Sequence, residues 1–133
     1  MTRYLISFPD GAMDHIPDED GPDVAKAAHA VAQEALNAGV YVLAGGLEFQ
    51  RPTIVATDGT VTDGPYPQTK ELIGGFTLID VPTREAALDW AAKIAVACRC
   101  AQEVREFGPD PELDAMLRQA DSRRRRPEGG SPP

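Results

Sequence analysis

The sequence has few cysteines, few histidines and no long hydrophobic segment, and each shortage argues against a class of protein. Its 133 residues include two cysteines and two histidines. Cys98 and Cys100 are separated by one residue, too close for an unstrained disulfide, and the histidines lie far from them in sequence. We therefore expect free thiols and no metal site. The apolar stretches are too short to span a bilayer.

Positive charge is also scarce, because the formal net charge is −8. Nucleic acids and anionic membrane surfaces attract proteins with positively charged surfaces, so neither is an expected partner. The N-terminus has no basic segment followed by a long apolar stretch and a cleavage site, which predicts that there is no signal peptide. We expect a cytoplasmic protein.

Short segments rich in branched and aromatic residues, ended by Gly, Pro or Asp, predict strands. They lie at residues 3–8, 40–43, 75–81 and 101–107, with a hairpin between residues 53 and 62 that turns at Asp58 and Gly59. Two helical segments separate them, so the order is βαββαβ with an added hairpin. This order predicts a mostly antiparallel sheet with both helices on one face. Gly45 and Gly46 interrupt the second strand, which indicates a bulge or the close approach of another backbone or a ligand.

Both helices have recognisable ends. Asp23 can cap the first helix, and Gly39 suits the left-handed conformation that ends it. The helical period places His29 on the polar side, so we interpret it as a surface histidine. Thr83 can cap the second helix, and Trp90 borders its apolar stripe, which favours a core or interface role over ligand stacking.

The sheet face opposite the helices requires a second cover, because the central strands carry apolar residues on both sides. We expect this face to pack against the same face of a second copy, which would give a two-fold homodimer. The arrangement leaves a cavity between the sheet and the loops, where small molecules commonly bind.

The composition changes after residue 107, and we assign residues 108–133 to an extension of the domain formed by residues 1–107. Leu113, Met116 and Leu117 predict a short helix, followed by a disordered tail with four consecutive arginines at residues 123–126. We interpret these arginines as solvated, and a nucleic-acid interaction as unlikely in so acidic a protein.

Residues 62–71 read Thr-Asp-Gly-Pro-Tyr-Pro-Gln-Thr-Lys-Glu and are followed by Gly74-Gly75-Phe76, an Ala-rich helix, and Glu103-Val104-Arg105. This series resembles the YCII-related proteins of the DGPF type over residues 1–107. The resemblance implies a ferredoxin-like α+β protomer that pairs into a dimeric α/β barrel. Tyr66 stands where that pattern has Phe, and Gln68 stands where it has Glu, which removes a carboxylate.

The candidate site residues lie in and near this segment. Asp63 either fixes the turn by accepting hydrogen bonds from the next backbone amides or serves as a general base in the cavity. His15, in the loop predicted at residues 9–22, is its candidate catalytic partner. Lys70 would supply a positive charge to an acidic ligand, and glycines would allow backbone amides to approach it. The predicted ligand-binding residues are Tyr66, Lys70, Glu71, Gly74 and Gly75.

Two classes of function remain open. The first is a cofactor-free enzyme of the lyase, isomerase or dehydrohalogenase type, acting on a small acidic or polar molecule with Asp63 or His15 transferring a proton. The second is a non-catalytic accessory protein, because the resemblance suggests an association with extracytoplasmic-function sigma factors. No motif indicates a bound cofactor or a metal.

Overall fold

The residues that the structure describes form a four-stranded sheet, a separate hairpin and three α-helices. The structure is a computed structural model, and it describes residues 1–69 and 71–125. The elements in chain order are β1 (Thr2–Pro9), α1 (Gly21–Asn37), β2 (Tyr41–Gly46), β3 (Thr53–Val55), β4 (Val61–Asp63), β5 (Ile73–Val81), α2 (Arg84–Cys98), β6 (Glu103–Glu106) and α3 (Pro111–Arg125).

The sheet has the strand order β2-β5-β1-β6, and every neighbouring pair is antiparallel. β1 and β5 therefore form its centre, while β3 and β4 form a two-stranded hairpin inserted between β2 and β5. This is the strand order of a ferredoxin-like βαββαβ fold, and the predicted α+β class is confirmed. The pairing of two protomers into a barrel stays a prediction.

The side chains of the central strands alternate between a helix-covered face and an open face. Tyr4 and Ile6 of β1 and Ile79 and Val81 of β5 point toward the helices, and all four are at most 3% exposed. They pack against a row of small and branched residues of α2: Ala87, Ala91 and Ile94. Burial of each large apolar side chain stabilises the fold by roughly 1.5–3 kcal/mol.

The open face carries Leu5, Leu78 and a cross-strand ion pair. Arg3 donates two hydrogen bonds of 2.9 Å to the carboxylate of Asp80, its register partner on β5. These hydrogen bonds raise the pKa of Arg3 above its ordinary value. Leu43, on the edge strand β2, is 54% exposed on this side. The open face is therefore apolar at its centre with one fixed ion pair beside it.

The first helix begins three residues earlier than expected. Asp20 occupies the N-cap position, Pro22 stands in the first turn, and Asp23 lies inside the helix rather than capping it. Proline favours the helix start because its fixed φ matches the first turn and its missing N–H needs no partner. Part of the predicted loop before α1 is a short 3-10 helix at Asp18–Asp20. Gly39 has φ +74 directly after the helix, as its sequence position predicts.

The cap of α2 and the turn of the hairpin are confirmed. Thr83 Oγ1 accepts a hydrogen bond from the backbone N–H of Ala86 at 3.1 Å. In the β3–β4 turn, Gly59 has φ +88 and Asp58 Oδ1 accepts a hydrogen bond from the Thr60 N–H at 2.9 Å. Hydrogen bonding by the Thr60 side chain, and secondarily by its backbone N–H, lowers the pKa of Asp58.

The C-terminal helix α3 is longer than the sequence indicates, because it extends through the first arginines to Arg125. Every residue from 111 to 124 is exposed, including the predicted apolar positions. Arg126 and the rest of the predicted disordered tail lie outside the described residues. None of the described helices is long and apolar enough to cross a membrane.

Candidate functional site

A cavity of about 700 Å3 lies between α1 and the helix-covered face of the sheet. Its α1 wall includes Val24, Val31 and four alanines spaced three or four residues apart, which places the alanines on one side of the helix: Ala25, Ala28, Ala32 and Ala35. Ala35 is buried in the core, whereas the short side chains of the other three leave space between α1 and the sheet. The cavity is therefore a consequence of residue size along a regular helix.

Aromatic residues form part of the remaining wall, together with aliphatic residues and with Phe76 of β5. Phe8 extends from β1, Tyr41 from β2 and Trp90 from α2. The registers place Phe8 opposite Gly75 and Tyr41 opposite Ile79, on the face that the helices cover. A Cβ atom on Gly75 would lie 2.4 Å from Cζ of Phe8, so the ring of Phe8 lies directly over this glycine.

Few polar side chains border the cavity. Asp18 and His29 line it and are also exposed, so they lie where it opens to solvent. Thr77 and Cys98 lie deeper and are partly buried. Burial, and secondarily the proximity of Cys100, raises the pKa of Cys98, which keeps it a neutral thiol at neutral pH. No lysine or arginine is among the described residues that line the cavity.

Two ion pairs connect α1 to the α2 segment beside the cavity. Arg99, which ends α2 in the left-handed conformation, is 2.8 Å from Asp20 at the start of α1. Lys93 pairs with Glu34, and its Nζ lies 4.9 Å from the centroid of the Trp90 ring. Exposed pairs contribute at most about 1 kcal/mol each. The Lys93–Glu34 pair lies against the Trp90 indole, which also packs against the core.

The predicted catalytic residues are not among those that line this cavity. Asp63 is exposed at the end of β4, and the turn after it is held by the N–H of Gly64, which donates to the carbonyl of Pro52 at 2.7 Å. His15 is exposed in the turn region after β1. In the portion of the chain that is described, no hydrogen bond joins His15 to Asp63, and neither residue lines the cavity. Their proposed chemistry stays a prediction.

The predicted ligand-binding residues occupy two environments. Tyr66 is 59% exposed and Glu71 is exposed. Lys70 lies outside the described residues. Gly74 and Gly75 are buried in β5, where a Cβ on Gly74 would lie 3.0 Å from backbone atoms of Pro9 and Asp10.

Close packing within the protein accounts for both β5 glycines, with no ligand required. The expected interruption of the second strand at Gly45 and Gly46 is wrong, because β2 continues through both residues. The irregularity lies between Tyr41 and Leu43 instead. A glycine pair can continue a strand when its backbone hydrogen bonds are retained, and these glycines pair with Phe76 and Gly75.

The sequence-based interpretation missed most of the residues that line the cavity. His29 is exposed, as predicted, but it also borders the cavity opening. Trp90 packs against the core, as predicted, while also lining the cavity. The signal that could have indicated this site is the alanine stripe of the first helix, because a buried helix face without large side chains leaves volume against a sheet.

Comparison with protein families identifies the domain. Within the described residues, no group of three or more His, Cys, Asp or Glu side chains is placed to hold a metal ion. No curated protein matches the chain. The model of the YCII-related domain matches residues 12–107, from the turn after β1 through β6. This match covers α1, β2 and α2, which form most of the cavity. The chain belongs to the YCII-related family.

Proposed function

We propose that the protein binds a small, mainly apolar molecule in the cavity between α1 and the sheet. The volume of about 700 Å3 falls in the range of small-molecule sites. Its walls are alanine, branched aliphatic and aromatic side chains, and its charged and ring-nitrogen groups, Asp18 and His29, lie at the opening. The observation that carries the proposal is this combination of volume, apolar walls and a polar opening in one place.

The first experiment measures binding of trans-1-decalol, a saturated bicyclic alcohol, by calorimetry. Ala28→Phe places a large side chain in the cavity, whereas Ala30→Phe places the same side chain on the exposed side of the same helix. We expect saturable binding to the native protein and to Ala30→Phe, and loss of binding in Ala28→Phe. Equal binding by both variants would show that the site lies elsewhere, and failure of the native protein to bind decalol or aromatic molecules of the same size would refute the proposal.

The two cysteines provide an independent measurement. Cys98 lines the cavity and Cys100 does not, although both are partly buried. Bound decalol should slow alkylation of Cys98 by iodoacetamide while leaving Cys100 unaffected, as measured by peptide mass spectrometry. Trp90 is the only tryptophan and also lines the cavity, so its emission should shift toward shorter wavelength on binding.

Catalysis remains a separate proposal. If Asp63 and His15 transfer protons, Asp63→Asn and His15→Gln should abolish turnover of the protein's substrate. Neither variant should change the affinity for decalol, because neither residue lines the cavity. Unchanged turnover in both variants would exclude these residues from the chemistry. The acidic-ligand prediction depends on Lys70, which lies outside the described residues. Cavity binding is compatible with an enzyme and with an accessory protein linked to sigma factors.

Homodimerisation through the open face is likewise a proposal. The exposure of Leu43 beside Leu5 and Leu78 supports it, because a sheet face with apolar side chains is stabilised by a second layer. Sedimentation of the native protein should show a dimer. Leu78→Lys, which places a charge at the centre of that face, should shift it to monomer.

A further inference from the structure

We infer that the ligand of this cavity is a flat, neutral aromatic molecule carrying a hydroxyl or amino group at its solvent end. The inference rests on the proposed function and specifies the chemical class of its ligand. Three properties of the site support it: the aromatic walls, the fixed position of those walls, and the polarity of the opening.

The shape of the cavity favours a flat molecule. One wall is α1, whose lining side chains are mostly small: four alanines with Val24 and Val31. The rings of Phe8 and Tyr41 extend from the sheet, and the Trp90 indole extends from α2. Aromatic rings attract one another in offset or edge-to-face arrangements, and such contacts exceed those of a saturated ring of the same size.

The aromatic walls are held in place before any ligand binds. Phe8 lies against the bare backbone of Gly75. Trp90 packs against the core, and the Lys93 ammonium group, paired with Glu34, contacts its ring. A ligand that contacts rings already ordered loses less conformational entropy on binding, which favours rigid flat molecules.

The opening favours a neutral ligand with a hydrogen-bond donor. Asp18 supplies a carboxylate, which accepts hydrogen bonds and repels anions, and His29 supplies a ring nitrogen that can donate or accept. The net charge of −8 adds to the repulsion of acidic ligands. A hydroxyl or amino group would therefore be accommodated at this end better than a carboxylate.

Three probes separate the parts of this inference: 1-naphthol, trans-1-decalol and 1-naphthoate. Naphthol and decalol have similar size and the same hydroxyl group, but only naphthol is flat and aromatic. Naphthoate keeps the aromatic rings and adds a negative charge. We expect naphthol to bind on the order of tenfold more tightly than decalol, because two or more aromatic contacts contribute. Naphthoate should bind more weakly than naphthol.

Variants of the aromatic residues test which side chains contribute to naphthol binding. Trp90→Leu and Phe8→Leu should each weaken naphthol binding several-fold and leave decalol binding nearly unchanged. Phe107→Leu is the matched control, because Phe107 is aromatic and partly exposed but lies outside the cavity. Two variants are used so that the measurement survives if one fails to fold.

Each outcome supports or overturns a stated part. Equal affinities for naphthol and decalol would overturn the aromatic class while leaving the proposed function intact. Tighter binding of naphthoate would overturn the neutral class. Failure of all three probes to bind would refute the proposed function and this inference together.

Discussion

Gly75→Ala tests how the cavity wall is built. The added Cβ would lie 2.4 Å from Cζ and 2.8 Å from Cε1 of Phe8. Carbon atoms pack at about 3.5–4.0 Å, so the ring must move by more than 1 Å. Phe8 lines the cavity, and we expect the ring to shift into it. Overpacking of this kind costs about 1–3 kcal/mol of the free energy of unfolding.

The assay is urea unfolding followed by Trp90 emission, combined with decalol calorimetry. Phe8→Leu supplies the control, because leucine lacks the two ring atoms that collide with the new methyl group. In the Phe8→Leu protein the cost of Gly75→Ala should fall to within about 1 kcal/mol of zero. Two smaller contributions to stability remain in the Phe8→Leu protein. Alanine lowers the entropy of the unfolded chain, which stabilises the fold by about 0.4–1 kcal/mol. The Gly45 carbonyl oxygen, 3.2 Å from the new Cβ, opposes this gain.

The same double-mutant cycle separates the two interpretations of Gly75. If Phe8 occupies the space over the glycine, the effects of Gly75→Ala on stability and on decalol binding both depend on the residue at position 8. If the glycine instead admits a ligand to the backbone, Gly75→Ala should weaken binding equally in both backgrounds and leave stability unchanged. That result would refute our reasoning about the cavity wall.

Three further predictions address stability. Asp80→Asn should lower the free energy of unfolding in urea by about 1 kcal/mol, because it weakens two charge-assisted hydrogen bonds from half-buried Arg3. An unchanged urea midpoint would show that the pair does not contribute to stability. Burial raises the pKa of Cys98, so the folded state holds this proton more tightly than the unfolded chain. Its stabilisation is complete below the ordinary thiol pKa of about 8.5 and is lost as pH rises through the folded value. Cys98→Ala should therefore flatten the alkaline fall in stability, and an identical slope would contradict this. Removal of residues 108–133 should leave the melting temperature of the domain nearly unchanged, because α3 is exposed throughout residues 111–124. A large drop in the melting temperature measured by calorimetry would mean that α3 packs against the domain.

Much of the fold could be predicted from the sequence, because local signals fixed its elements. Thr83 and Gly39 mark helix ends through hydrogen-bond and backbone preferences that act within a few residues. Asp58 and Gly59 mark the hairpin for the same reason. The start of α1 was misplaced because Asp20 and Asp23 are both suitable caps, and Pro22 is what favours the earlier start. The length of α3 was underestimated because its arginines are compatible with both a helix and a disordered tail.

The candidate site was harder to predict, because a cavity depends on what residues leave unfilled. The motif at residues 62–71 contains the conspicuous chemistry, yet its described residues lie in an exposed hairpin end and loop. The cavity is formed where α1 crosses the sheet and its alanines meet Phe8, Tyr41 and Trp90. These residues are distant in sequence, and each one alone has an ordinary interpretation.

The sequence by itself determined the elements, their order, the family and the side of each helix that is buried, because those properties follow from local propensity and periodicity. Only the tertiary structure decided where empty volume remains and which side chains enclose it. The distance between α1 and the sheet is set by the whole core, including Ile6, Ile79 and Ala87. Gly75 shows the same division. Its identity as glycine is evident in the sequence, but the reason for it is the ring of Phe8, which lies 67 residues earlier in the chain. The register of β1 and β5 places that ring over the glycine.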